Sequence, residues 1–239
     1  MLSGLDHTDE RVRLANIATN YAIDLDYYRY INEGINRNTE GVDFARCYIY
    51  SFNHTDIVRY HKEQNIEGAM AELLTACRNL ERSGAEGLII CANTMHRFYD
   101  ELVPQLSIPV IHIADATAEA IQAAGLKKVA LLGTIFTMEM DFIMDRIIST
   151  GIEILVPEKT DREFIHQSIA TELCRDVFTA ATKERYLKII SQLIAEGAEG
   201  VILGCTEIPL LIKEGDVNIP LFDTALIHAE AAVKFALSE

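Results

Sequence analysis

The residue types best suited to chemistry in this chain gather at two similar turns. Gly204-Cys205-Thr206-Glu207 closes one apolar run, and Cys91-Ala92-Asn93-Thr94 closes another. A thiol titrates near pKa ~8.5, and lower at a helix N-terminus, so Cys205 on such a turn can alternate between thiolate base and thiol acid near neutral pH. Asn93-Thr94 and Cys205-Thr206 are small polar pairs, and a carboxylate held between them is a chemically sensible ligand.

Both turns belong to an internal repeat. Gly84-Ala-Glu-Gly-Leu-Ile-Ile-Cys-Ala-Asn-Thr94 recurs 113 residues later as Gly197-Ala-Glu-Gly-Val-Ile-Leu-Gly-Cys-Thr-Glu207. Each copy follows a helical pattern (69–82 and 186–196) and precedes an Ile-Pro strand, Ile108-Pro109 or Ile219-Pro220. The interval from first Gly to Ile-Pro is 24 residues in one copy and 22 in the other. Such near-equal spacing argues against a common strand-loop pattern met twice by chance. In register, Ala92 stands opposite Cys205, so one copy carries a methyl group where the other carries a thiol.

The elements that must position these turns alternate along the chain. Short β-rich runs fall at 47–51, 87–91, 110–113, 129–133, 151–156, 201–204 and 220–222. Helix-period segments fall at 26–36, 69–82, 115–124, 138–149, 184–196 and 225–237. Near-continuous apolar strands between helices predict an α/β fold with parallel sheets covered on both faces. We expect two pseudo-symmetric, doubly wound lobes with the site in the cleft between them. The expected boundaries are 1–114 plus 208–239 for the first lobe and 115–207 for the second. In open sheets of this kind ligands bind beyond the carboxyl ends of the strands, where helix N-termini supply N–H groups.

Composition narrows the partners. A formal charge of −15, with only 21 Lys and Arg spread over 239 residues, argues against nucleic acid. No apolar run reaches the ~18 residues of a membrane helix, and residues 1–10 are polar and acidic, unlike a signal peptide, so the expectation is a cytoplasmic protein. Five cysteines at unrelated spacings speak against a disulfide framework. No Cys-x-x-Cys or His-x-x-x-His pair suggests a metal, and none is expected.

At Cys91-Ala-Asn-Thr-Met-His96 and Gly204-Cys-Thr-Glu207 the chain resembles the aspartate/glutamate racemases, the cofactor-independent amino-acid racemases. Supporting segments are Tyr27-Tyr28-Arg-Tyr-Ile-Asn-Glu33, His112-Ile-Ala-Asp-Ala-Thr117, Leu131-Leu-Gly-Thr-Ile-Phe-Thr-Met138 and Phe222-Asp-Thr-Ala-Leu-Ile-His228. The resemblance spans roughly residues 26–239 and implies two acid/base groups flanking the substrate α-carbon, no cofactor, a small carboxylate or amino-acid substrate, and a homodimer. Without a pyridoxal cofactor the α C–H is very weakly acidic, so the carbanion needs hydrogen bonds to its carboxylate and closely placed bases. Carried over by position, Cys205 is the catalytic cysteine. Ala92, Asn93, Thr94, Thr134, Thr137 and Thr206 are the substrate-binding positions.

Structural roles stand beside these functional ones. Thr134 and Thr137 could cap the helix that begins near Met138. His96 and His228 read better as satisfied structural histidines, and Cys91 as core. Glu207 could tune the thiol or favour a helix start. Arg46 and Arg59 are candidates for a side-chain carboxylate by charge alone.

Two departures from the family pattern fall on the first lobe. Ala92 stands where relatives carry their first acid/base residue, and a methyl group transfers no proton. Ile17-Ala-Thr-Asn-Tyr21 stands where relatives have a Gly-Gly loop whose backbone N–H groups approach an anion. The leading expectation is therefore a racemase acting through Cys205 on a small acidic amino acid, with one side of its chemistry impaired. Two alternatives stay open: a single-cysteine enzyme that protonates the carbanion left by decarboxylation, and a catalytically degenerate protein that binds a ligand or partner.

Overall fold

The computed structural model describes residues 14–18, 21–39 and 43–238. In chain order its elements are β1 (Leu14–Ala18), α1 (Tyr21–Asn38), β2 (Cys47–Ser51), α2 (His54–Lys62), α3 (Ile66–Arg82), β3 (Leu88–Ile90), α4 (Tyr99–Leu102), β4 (Val110–Ile111), α5 (Ile113–Ala123) and β5 (Lys128–Gly133). There follow α6 (Ile135–Glu139), α7 (Asp141–Ile148), β6 (Glu153–Leu155), α8 (Lys159–Thr171), α9 (Ala180–Ala195), β7 (Val201–Gly204), α10 (Ile208–Leu211), β8 (Leu221–Asp223) and α11 (Thr224–Leu237). Short 3-10 turns occupy Asn93–Phe98 and Leu173–Arg175.

The strands form two four-stranded sheets, ordered β2-β1-β3-β4 and β6-β5-β7-β8, and every pairing is parallel. The two orders are the same topology used twice, which is the fold-level form of the sequence repeat. One compact unit holds the described residues through Cys91, with Phe98–Ile111 and the chain end from Ala232. The other holds Ala92–Arg97 and His112–Ala231.

That division differs from the expected boundaries. Residues 208–231, expected in the first lobe, lie in the second unit, and only the last turns of α11 join the first. The reason is pairing: each Ile-Pro strand stays beside its own copy of the repeat, β4 on β3 and β8 on β7. The turn Ala92–Arg97, expected with the first lobe, likewise falls in the second unit.

The repeated Gly-Ala-Glu-Gly motif has a local explanation in both copies. Gly84 and Gly197 have φ of 93° and 99°, the left-handed region where a side chain is strained. They end α3 and α9, and the next residue closes a Schellman-type bond, Ala85 N–H to Leu80 O and Ala198 N–H to Leu193 O. The second glycine of each motif makes room for an aromatic ring: a β-carbon on Gly87 would lie 2.5 Å from the ring of Phe235, and one on Gly200 2.8 Å from that of Phe222.

In the first unit the apolar stripe of α3, Ala69, Met70, Leu73, Ala76, Cys77 and Leu80, is buried, as are Leu14, Ile17 and Leu88–Ile90 of the sheet. In the second, Val129–Leu132 and Val201–Leu203 form the sheet interior under Ile165, Ile169, Tyr186, Ile189, Ile190 and Leu193. Strands this continuous in apolar residues are covered on both faces.

The segment 138–149, expected as one helix, is two, broken where Met140 adopts an extended φ of −101° and ψ of 146°. Helices α2 and α8 went unanticipated because their sequences are dominated by polar residues, with α8 burying chiefly Ile165 and Ile169 on its apolar side. Residues 11–17 could form a strand by sequence, and β1 takes up Leu14–Ala18; residues 11–13, and Thr19 and Asn20 of the glycine-poor loop, lie outside the described residues.

Candidate active site

Of the residues singled out at the two turns, Ala92, Asn93, Thr94, Cys205, Thr206 and Glu207 lie in the second unit, and Cys91 lies in the first. Cys205 follows the last residue of β7 directly, at the carboxyl edge of a buried strand. Gly204 pairs with Gly133 across β5 and β7, and a side chain on either would be tightly packed. A β-carbon on Gly204 would come 3.0 Å from the Leu132 carbonyl oxygen and 3.1 Å from the Thr137 methyl group. The Thr134–Thr137 turn is thereby packed against the residue that presents Cys205.

Thr134 is the N-cap of α6, accepting from Thr137 N–H at 3.4 Å, and the two hydroxyl oxygens are 3.2 Å apart. The capping role anticipated for Thr134 is present. Thr137 is buried with its methyl toward the glycine pair, so Thr134 carries the more accessible hydroxyl.

The Cys205 sulfur donates to Glu207 Oε2 at 2.8 Å, and Thr206 Oγ1 donates to the same oxygen at 2.9 Å. Glu207 is 8% exposed. The carboxylate therefore sits against the thiol, settling the open question of what Glu207 touches. The consequence for Cys205 reverses the expectation of a lowered pKa. Burial of the sulfur pushes the thiol well above its ordinary range, and the charge and hydrogen bond of Glu207 push in the same direction. Only the four-residue α10 follows this turn, too short to supply the helix-terminal field that a lowered pKa requires. Cys205 rests as a thiol, with a proton acceptor already bonded to it.

A third donor reaches Glu207 from elsewhere in the chain. Cys174, on the turn after α8, donates to Oε1 at 3.4 Å. No local pattern connects residues 174 and 207, and the sequence offered no signal for the contact. Tyr186, fully buried on α9, lies near enough for Cys205 to add to the upward push that burial exerts on its hydroxyl, which shares a 3.0 Å hydrogen bond with Ser168.

The other turn is organised by Asn93. Its Nδ2 donates to Thr224 Oγ1 at 3.3 Å, and Thr224 in turn donates to the carbonyl of Leu203 at 3.1 Å, two residues before Cys205. The hydroxyl proton of Thr224 is committed to Leu203, so the hydroxyl can only accept from Asn93. Asn93 Oδ1 is thereby turned elsewhere and, among the described residues, has no hydrogen-bond partner although Asn93 is 8% exposed. A buried acceptor of this kind suits a donor brought by a ligand. Thr94 follows on the same turn, half-buried, and Ala92 is half-buried with its carbonyl 3.0 Å from His96 Nδ1.

His96, His112 and His228 are buried together in the second unit. His96 Nε2 accepts from Ile113 N–H at 3.3 Å, and His112 caps α5 by accepting from Ala114 N–H at 3.0 Å. Their rings, with His228, pack edge to face at centroid distances of 4.7 and 5.5 Å from His96. Burial holds His96 well below the ordinary histidine range and His112 down at about 3, with neighbouring histidines and, for His112, Arg146 adding to the shift. Cys91 is wholly buried, as its core reading requires. Arg46 is exposed, and Arg59 pairs with Asp56 on its own helix at 3.1 Å.

The chain has matches among known proteins. Residues 25–232 match the family described as Asp/Glu/Hydantoin racemase. The chain belongs to that family. Its fold superposes on a crystal structure of a proposed Asp/Glu racemase from Yersinia pestis, with a TM-score of 0.90 and 36% identity over 94% of this chain and 99% of that one. An aspartate racemase homologue from Pyrococcus horikoshii OT3 gives 0.82 and 34%, covering 95% and 100%. The broad specificity amino-acid racemase RacX of Bacillus subtilis is 24% identical over 166 residues, 66% of this chain and 68% of its own length. Membership in the racemase family supports an isomerase acting on an amino acid, and the two four-stranded parallel sheets are those expected of it.

Proposed function

We propose that this chain is a cofactor-independent amino-acid racemase-type enzyme that exchanges the α-proton of a small acidic amino acid through Cys205, from one face of the substrate. The observation that carries the reading is the Cys205–Glu207 pair at the carboxyl end of β7, a thiol with a proton acceptor at 2.8 Å. For Cys205 to act as base, its proton passes to Glu207; the thiolate then takes the α-proton and can return it. Asn93, through its open Oδ1, Thr94 and Thr134 are the groups that would hold the substrate's amino and carboxylate groups. Thr206 supports the site indirectly, since its hydroxyl serves Glu207.

One-sidedness follows from Ala92. A single acid/base group removes and returns the proton on the same face, giving exchange with retained configuration, whereas inversion needs a donor on the other face. The deciding measurement is deuterium uptake at Cα of L- and D-aspartate and glutamate in heavy water. Absence of uptake with all four at high enzyme concentration overturns the reading. The same reading takes the protein to be a cytoplasmic homodimer, whose oligomeric state sedimentation measures.

A second reading is favoured by the resting protonation of Cys205. A thiol held well above its ordinary pKa suits a proton donor, and a single donor is what the carbanion left by decarboxylation of a malonate requires. The two readings separate by pH. Exchange begins from the thiolate and rises into the alkaline range; protonation after decarboxylation uses the thiol and holds level through neutrality. Carbon dioxide release from arylmalonates that disappears in Cys205→Ala selects the second.

A further inference from the structure

Cys174 and Cys205 come from different elements and meet on one carboxylate. Cys205 and Thr206 occupy Oε2 of Glu207, and Cys174 occupies Oε1. Thr206 and Cys205 are chain neighbours of Glu207, and their contacts follow from the local turn. Cys174 is placed by the fold: Leu173, 1% exposed, anchors the turn after α8 in the core of the second unit and sets the adjacent thiol against Glu207.

A carboxylate with donors on one oxygen only can rotate about its terminal bond, because that torsion is broad and roughly two-fold. A donor on the other oxygen fixes the plane of the group. We infer that Cys174 is a positioning residue for Cys205: its thiol orients Glu207, and Glu207 exchanges a proton with the Cys205 sulfur. The inference rests on the acid/base role proposed for Cys205. In the exchange the Cys205 S–H bond breaks and an O–H bond forms on Glu207, leaving a thiolate and a neutral carboxyl. The substrate Cα–H bond then breaks as the S–H bond reforms, and the electron pair stays on carbon. Reversal restores both groups with no oxidant or co-reactant.

The groups acting on this unit come from three elements. Cys174 and Asp176 lie on the turn after α8, Glu207 precedes α10, and Tyr186 on α9 feels Cys205 and Glu207 together with Glu172. Cys174 is an exposed residue, yet partial desolvation of its sulfur, with the charge of Glu207 and its hydrogen bond, pushes that thiol up to about 12, so it remains a donor at neutral pH.

The test needs no substrate. The rate of Cys205 alkylation by iodoacetamide is followed against pH by peptide mass spectrometry in the full chain. Glu207→Gln moves the midpoint down by about one unit or more, since it removes a neighbouring negative charge. Cys174→Ala moves it up by about half a unit, because one hydrogen bond no longer shares the charge of Glu207. Cys174→Ser restores the wild-type midpoint, since a hydroxyl can donate to the same oxygen. In parallel, Cys174→Ala lowers kcat for α-proton exchange a few-fold at unchanged KM, and Cys174→Ser recovers it. A Cys174→Ala alkylation profile that coincides with wild type overturns the inference. Midpoint shifts in the stated directions without exchange of any amino acid leave the positioning role standing and sink the racemase reading. Circular dichroism melting checks each variant, and Cys174→Val carries the same test where alanine fails to fold.

Discussion

At the scale of single residues, the proposed reaction turns on Cys205 and Ala92. With Cys205 the one thiol at the two repeat turns that can exchange protons, Cys205→Ser should abolish α-deuterium uptake, because a hydroxyl ionises far less readily than a thiol at the same position. Ala92→Cys should do the opposite and add the missing partner. We expect at least a tenfold gain in the racemisation rate, measured by chiral chromatography, within the ~10²–10⁴-fold that a positioned acid/base group supplies. No gain in racemisation, with Cα exchange intact, would mean that position 92 does not face the substrate. Cys205 also illustrates a limit of local reasoning. A cysteine at a strand-to-helix turn reads as a low-pKa thiol, but burial of the sulfur, together with a carboxylate two residues on and only a four-residue helix beyond, reverses the sign.

At the scale of elements, the site depends on how β7 is seated. Gly133 and Gly204 face each other with backbone and Thr137 in near contact, so Gly204→Ala forces a shift in β5 or α6. Overpacking of this kind costs about 1–3 kcal/mol, and chemical denaturation should show it together with a loss of exchange activity larger than the loss of stability explains. Thr224, the first residue of α11, ties the Asn93 turn to β7. Thr224→Val keeps the shape and removes both hydrogen bonds. It should destabilise by about 1–2 kcal/mol and raise KM for the substrate through the freed Asn93, with the alkylation rate of Cys205 unchanged. A Thr224→Val variant with wild-type KM would separate Asn93 from substrate binding.

At the scale of the whole molecule, the buried histidines make stability depend on pH. In the folded chain His96 and His112 titrate below the ordinary ~6.5, His112 at about 3, because burial opposes the charged form. Below pH ~6.5 the unfolded chain binds protons that the folded chain excludes, so stability is full above that pH and is lost as pH falls toward 3. Each such histidine contributes up to ~1.4 kcal/mol per pH unit across that window. His112→Asn retains a side chain able to cap α5 and removes one titration. Its denaturation midpoint should fall less steeply between pH 6 and 4 than that of wild type, as urea unfolding at several pH values would reveal; an equal slope would exclude His112 as a contributor.

Much of this molecule was legible from its sequence because its information is local or repeated. The Gly-Ala-Glu-Gly echo marks two helix ends, two strand starts and two identical sheet orders, and period and spacing carry all three. The Cys205–Glu207 contact spans two residues and was visible as a possibility. Other features depend on which distant segments pack together, and no periodicity encodes them. The allegiance of residues 208–231 is decided by β8 pairing with β7, Cys174 arrives at Glu207 across 33 residues, and Thr224 reaches Asn93 across 131. By itself the sequence determined the α/β class, the two-fold repetition and the presence of one thiol opposite one methyl group, because residue type and spacing suffice for those. Only the tertiary structure decided that the thiol rests protonated on a buried carboxylate, since burial and the approach of charges are properties of packing rather than of order along the chain.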